Sequence, residues 1–201
     1  MRYLEKIQTL LPLGYLYLIV LGLLSETLFY YPLGINILSY SSITDVLISP
    51  ISTMTANLIV FVTIVAIFVI LFIMMQVLIK YSDTNWAQKI FWKSRISPGA
   101  GKQEKQKAAL PGFALLVAYM LLSFFVGLGL GGGLMLSKRI RQNKYSYNYK
   151  LTLSSGKIEE VYMFDQNSAY YFYVTKENHN IRIAPVGSIG GLELINNKKL
   201  K

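Results

Sequence analysis

The chain has 201 residues, 53% of them apolar and only 15% charged, with a mean hydropathy of +0.42. Those values exclude an ordinary water-soluble fold, and the grouping of the apolar residues into blocks excludes intrinsic disorder. The formal net charge of +10 calls for a polyanionic partner, while the absence of cysteine excludes disulfides, thiolate metal sites and a cysteine nucleophile.

From Ile7 to Ser25 there is no charge, and the apolar character continues past Glu26 through Phe29, Tyr30 and Tyr31. This is long enough to cross a hydrocarbon layer of ~30 Å, so a first span is expected over about residues 8–30. No small-residue cleavage site follows it, which favours a retained anchor over a signal peptide. Residues 31–55 carry one charge, Asp45, and read as an interfacial loop with Tyr30, Tyr31 and Tyr40 as headgroup-depth anchors. Within it Ser41, Ser42 or Thr44 is placed to cap a short helix running through Asp45 to Pro50. The second span, about 57–79, is the most apolar: 17 of the 22 residues from Leu58 to Ile79 are Leu, Ile, Val or Phe.

Residues 80–110 form a basic loop with seven basic and two acidic residues. Its first part places Trp86 and Trp92 among lysines, the mixture of an interfacial helix, before Ser97 to Gly101 breaks the pattern. The third span is expected over about 111–136, since Leu110 to Leu136 has no charge, although its second half is rich in glycine from Gly127 to Gly133. The transmembrane region thus occupies residues 1–137, followed by a basic juxtamembrane linker over 138–144.

A small all-β module then spans 145–197. Tyr145, Tyr147, Tyr149, Leu151 and Leu153 alternate with polar residues, and further strands are expected over Ile158 to Phe164, Ala169 to Thr175, Ile181 to Val186 and Leu192 to Ile195. Five short strands with a Gly-rich corner before the last give the pattern of an SH3-like or Sm-like barrel.

The positive charge is not on that module. Residues 151–197 hold three basic and five acidic residues, whereas residues 137–150 hold five basic residues and no acidic one. Both basic belts therefore adjoin apolar helices, and the polyanion they imply is an anionic lipid surface rather than nucleic acid. Arg2 and Lys6 place the N-terminus in the cytoplasm by the positive-inside rule. Three full spans then put the module outside with Lys138, Arg139, Arg141 and Lys144 on the unfavoured side. If instead the glycine-rich block dips in and returns, every basic cluster stays inside.

Gly127 to Gly132 matches G-x-G-x-x-G, but no strand precedes it and no acidic residue is placed for a ribose, so no cofactor is expected. The same residues form helix-packing or oligomer faces: Ser123, Gly127 and Gly131 on one, Gly129 and Gly133 on the other. Glu26 and Asp45 read as structural residues at helix ends. His179 is the only histidine, which leaves a zinc site without ligands, and Glu159 and Glu160 point to opposite faces of a strand. No catalytic, metal or cofactor constellation emerges, and an enzyme is not expected.

The stretch Tyr30 to Tyr40 with Asp45, and the phrase Gln166 to Val174, together with this overall organisation, resemble small membrane effectors of bacterial anti-phage systems, linked to retrons or to cyclic-oligonucleotide signalling. The resemblance implies an inner-membrane effector that perturbs the membrane under control of its β module, with a homo-oligomer or a protein partner acting through that module. The other reading is an accessory or anchoring subunit of a larger membrane complex.

Overall fold

A computed structural model of the chain describes residues 2–81, 84, 101–176 and 180–195. Its helices are α1 (Arg2–Tyr30), α2 (Ile43–Ala56), α3 (Leu58–Lys80) and α4 (Lys102–Arg141). The strands are β1 (Tyr149–Leu153), β2 (Ile158–Gln166), β3 (Tyr170–Thr175), β4 (Ile181–Pro185) and β5 (Ile189–Leu194). Among the described residues three segments are long and apolar enough to cross a membrane: Leu11–Leu33, Leu58–Lys80 and Gln103–Arg141. Trp86, Trp92 and His179 lie outside the described residues.

Two compact units divide the chain, one made of Met1–Pro50 with Val126–Lys201 and the other of Ile51–Phe125. In the second unit Asn57 separates α2 from α3 and caps α3, its side-chain oxygen accepting from the Ile59 N–H at 3.0 Å. Phe68 of α3 meets Phe113 of α4 edge-on at 6.2 Å, and Gln76, Ile79 and Lys80 share a cavity with Lys105. The two helices therefore run antiparallel there.

In the first unit α1 stops where Pro32 removes a donor, and the chain turns through two 3₁₀ segments, Tyr31–Leu33 and Ile37–Ser39. Gly34 closes the first at φ +72°, a backbone conformation that favours glycine. The carboxyl-terminal part of α4 packs parallel to α1: a Cβ at Gly129 would collide with the Ser25 carbonyl, and one at Gly133 with the Phe29 carbonyl. Gly22 stands in the same relation to Val46 of α2. α4 is unbroken through Gly127 to Gly133, so this block does not turn back on itself. The backbone contact with α1 occupies the space that side chains would have needed. The helix also continues to Arg141, through most of the stretch expected as a linker.

The sheet is antiparallel in the order β4-β3-β2-β1-β5. It is open: β4 and β5 are its edges and do not pair, so the closed SH3-like or Sm-like barrel expected from the strand pattern is not formed. One face buries its side chains within the sheet itself, and the other packs on the helices. On one face Leu151, Val161, Met163 and Tyr173 are buried beneath Tyr149, Leu153, Tyr171, Ala184 and Ile189. On the other, Phe172 and Val174 pack against Tyr30 at the end of α1, Ile37 in the turn after it, and Leu136 and Ile140 at the end of α4. Just before β1 the Asn148 side-chain amide bonds both the N–H and the carbonyl of Met163, at 2.8 and 2.9 Å, while its backbone N–H donates to the Val161 carbonyl at 3.1 Å and its carbonyl accepts from the Ile195 N–H at 2.9 Å.

The glycine contacts predict opposite signs for one substitution along α4. Gly129→Ala and Gly133→Ala are expected to lower the thermal unfolding midpoint in detergent, at a cost of about 1–3 kcal/mol from overpacking. Gly131→Ala, which meets open space, is expected to raise it, by up to about 1 kcal/mol of helix propensity.

Candidate functional site

The end of α1, the turns that follow it and the β2–β3 corner form a clasp between the helices and the sheet. Two distant stretches of sequence, Tyr30 to Tyr40 with Asp45 and Gln166 to Val174, meet here. Tyr30 is 1% exposed and its hydroxyl donates to Asp165 Oδ2 at 2.6 Å. A β-bulge makes this possible. Met163 pairs with Tyr173 and Asp165 with Phe172, so Phe164 is an extra residue and Asp165 turns to the helix-facing side. Without the bulge the alternation of the strand would aim Asp165 away from Tyr30.

Aromatic rings fill the space around this bond. Tyr30 packs on Phe172 at 5.1 Å and on Phe29 at 5.1 Å, while Tyr40 meets Tyr170 edge-on at 5.4 Å. Polar contacts close the rim. Ser42 and Asp45 form a reciprocal capping box at the start of α2: the Ser42 N–H donates to Asp45 Oδ2 at 2.9 Å, and the Asp45 N–H to Ser42 Oγ at 3.1 Å. Asp45 also accepts from the N–H and hydroxyl of Ser168 at 3.1 and 2.9 Å, so one carboxylate caps a helix and holds the β2–β3 turn. Asn167 donates to the Tyr40 carbonyl at 3.0 Å, and Ser137 of α4 donates to the Pro32 carbonyl at 3.0 Å.

Burial pushes the Asp165 carboxyl above its ordinary value, against hydrogen bonds from Tyr30 and Gln166 that pull it down. At Asp45 burial also pushes upward, but the bonds from Ser42 and Ser168 outweigh it and hold that carboxyl below the usual range. Glu159 is also lowered, first by its bond from Lys157 at 2.6 Å, then, against the opposing push of burial, by Arg182.

The residues singled out in sequence fall in different places. Tyr30 and Tyr40 turn into the sheet, while Tyr31 is 76% exposed. Glu26 accepts from the Ser49 hydroxyl of α2. Ser123, Gly127 and Gly131 lie on an exposed face of α4, whereas Gly129 and Gly133 are buried against α1. Glu159 is buried and ion-paired, and Glu160 is exposed on the opposite face. Asp165 and Ser168 read as turn residues in sequence, and no local signal marks the bulge that re-aims Asp165. Among the described residues no group of three His, Asp or Glu side chains is placed to hold a metal. No family model, characterised protein or solved structure matches this chain.

The clasp predicts a coupled pair. Tyr30→Phe leaves Asp165 short of a donor and is expected to cost about 1–3 kcal/mol, with a coupling to Asp165→Asn of about 0.5–3 kcal/mol in a double-mutant cycle on thermal unfolding. The pH dependence has two limbs of opposite sign. The folded chain holds the Asp165 proton more tightly than the unfolded chain. Its stabilising contribution is therefore full below the ordinary carboxylate value and is lost as pH rises through the raised folded value. For Asp45 the contribution is present above the ordinary value and is lost as pH falls through the lowered one. Unfolding midpoints measured across acid pH should lose the upper limb in Asp165→Asn and part of the lower limb in Asp45→Asn.

Proposed function

We propose that the chain is a non-enzymatic multi-pass membrane protein that acts on the membrane itself. Its C-terminal sheet is the control element, as in the membrane-perturbing effectors of bacterial anti-phage systems. One observation supports this reading above the others: the sheet shares its core with the carboxyl ends of two long apolar helices. Phe172 and Val174 of β3 pack on Tyr30 at the end of α1, on Ile37 in the turn that follows it, and on Leu136 and Ile140 of α4. A ligand or partner that binds the sheet with different affinity in its docked and loosened states therefore shifts the packing of both helices. Apolar side chains left uncovered along the spans, such as Leu13, Ile70 and Leu115, are covered by lipid. The exposed Ser123, Gly127 and Gly131 face of α4 offers the surface for self-assembly.

Both α1 and α4 reach the sheet by their carboxyl ends, so each crosses towards it. With a cytoplasmic N-terminus the sheet lies on the outer side of the inner membrane.

A second reading, an accessory or anchoring subunit of a larger complex, is favoured by the open edges of the sheet. β5 pairs only with β1 among the described residues and exposes Leu192 and Leu194, an arrangement suited to strand addition by a protein partner.

Two measurements test the proposal. Fusion of the C-terminus to a reporter active only outside the cytoplasm should give activity, and activity of a cytoplasm-only reporter contradicts the topology. Inducible expression with a potential-sensitive dye should report depolarisation, at a lower expression level when Phe172→Ala loosens the sheet. Sustained expression of both forms without depolarisation, alongside a stoichiometric foreign partner in mild detergent, favours the accessory role.

A further inference from the structure

α4 ends in a Schellman turn. The Lys144 N–H donates to the Arg139 carbonyl at 2.9 Å, the Asn143 N–H donates to the Ile140 carbonyl at 3.1 Å, and Asn143 takes φ +54°. Asparagine adopts that left-handed conformation more readily than most residues with a side chain. The turn folds the chain back so that the residue after the cap returns to the last turn of the helix, a pairing usually sealed by two apolar side chains. Here the paired residues are Arg139 and Lys144, two cations. Like charges held at one place repel, and among the described residues neither has a carboxylate within ion-pair distance.

Both side chains line one open, solvent-facing depression of about 410 Å³, with Asn143, Tyr145, Ser146 and Tyr162 also along it. Tyr145 and Tyr162 stack at 5.0 Å with their planes 22° apart, which gives the wall a rigid aromatic side. The lining offers a guanidinium, an ammonium, hydroxyls and an amide, and it contains no carboxylate. A guanidinium fork beside an ammonium is the donor set that matches phosphate oxygens. The depression also opens immediately after the uncharged stretch Leu110 to Leu136, at the depth where lipid headgroups would lie.

We infer that this depression is a phosphate site. It takes the phosphate of a phospholipid headgroup in the leaflet beside the sheet, or the same group as free phosphate. The lipid source rests on the membrane reading above; the free-phosphate source does not. The site also accounts for the second basic belt, which the positive-inside rule leaves on the unfavoured side of a three-span chain: two of its cations serve a ligand rather than orientation.

Two double variants of the full chain remove equal charge from the same region. R139Q/K144Q strips the depression of cations, and K138Q/R141Q leaves its lining intact. After extraction from nanodiscs of phosphatidylcholine and phosphatidylglycerol, native mass spectrometry reads the phosphatidylglycerol retained. R139Q/K144Q is expected to hold it at least about tenfold more weakly than K138Q/R141Q, through loss of charge-assisted hydrogen bonds. Calorimetric titration of inorganic phosphate in non-ionic detergent separates the sources. Phosphate binding that R139Q/K144Q abolishes supports a free-phosphate ligand, and selective lipid retention without phosphate binding supports the headgroup. Equal weakening in the two double variants by both measurements, or no weakening in either, overturns the site and leaves a diffuse belt of charge. Failure to enter nanodiscs counts against the membrane reading alone, because the phosphate titration still tests the depression.

Discussion

The hydrogen bond from Tyr30 to Asp165 is the constraint on which the clasp between helices and sheet depends. It joins the last residue of α1 to a carboxylate on the second strand, 135 positions later. A carboxylate placed among aromatic rings is costly unless a donor meets it. The bond therefore does more than add contact area: it makes one docking position of the sheet far better than its neighbours. Phe172, fully buried against Tyr30, supplies the hydrophobic part of the same contact, and Asp45 and Asn167 repeat the polar part at the rim.

That docking explains how a sheet of five short strands persists without closing. Small β modules bury too little of their own surface to be robust alone. This one places one face on the ends of α1 and α4 and buries the other within itself, so it depends on the helices as much as they are held by it. The parallel approach of α1 and α4 at Gly129 and Gly133 belongs to the same arrangement. Close backbone contact sets where the two helix ends stand, and the sheet bridges them through Phe172 and Val174.

Much of this was legible along the chain because it depends on neighbours in sequence. Uncharged blocks near the length of a bilayer, the alternation of Leu151 and Leu153 with polar residues, and Ser42 with Asp45 at a helix start are local patterns with local physical causes. The glycine block was ambiguous for the same reason. Gly127, Gly129, Gly131 and Gly133 look alike in sequence, and only the position of α1 separates the two that are packed from the two that are exposed. Asp165 looked like a turn residue because a bulge leaves no mark in a short run of β-forming side chains. Tyr30 and Tyr40 looked like interfacial anchors because nothing nearby reveals the sheet that receives them.

The sequence by itself determined that the chain has three long apolar helices, basic belts beside them and a C-terminal set of short strands. Those properties follow from hydropathy, charge and period, which act over a few turns or strands at most. Only the tertiary structure decided that the sheet stays open, that Asp165 faces Tyr30, and that Arg139 and Lys144 come to share a depression beyond the end of α4. The first two depend on residues more than a hundred positions apart arriving at one place. The third depends on a capped helix end meeting β2, and the free energy of such meetings resides in packing and desolvation that no local window contains.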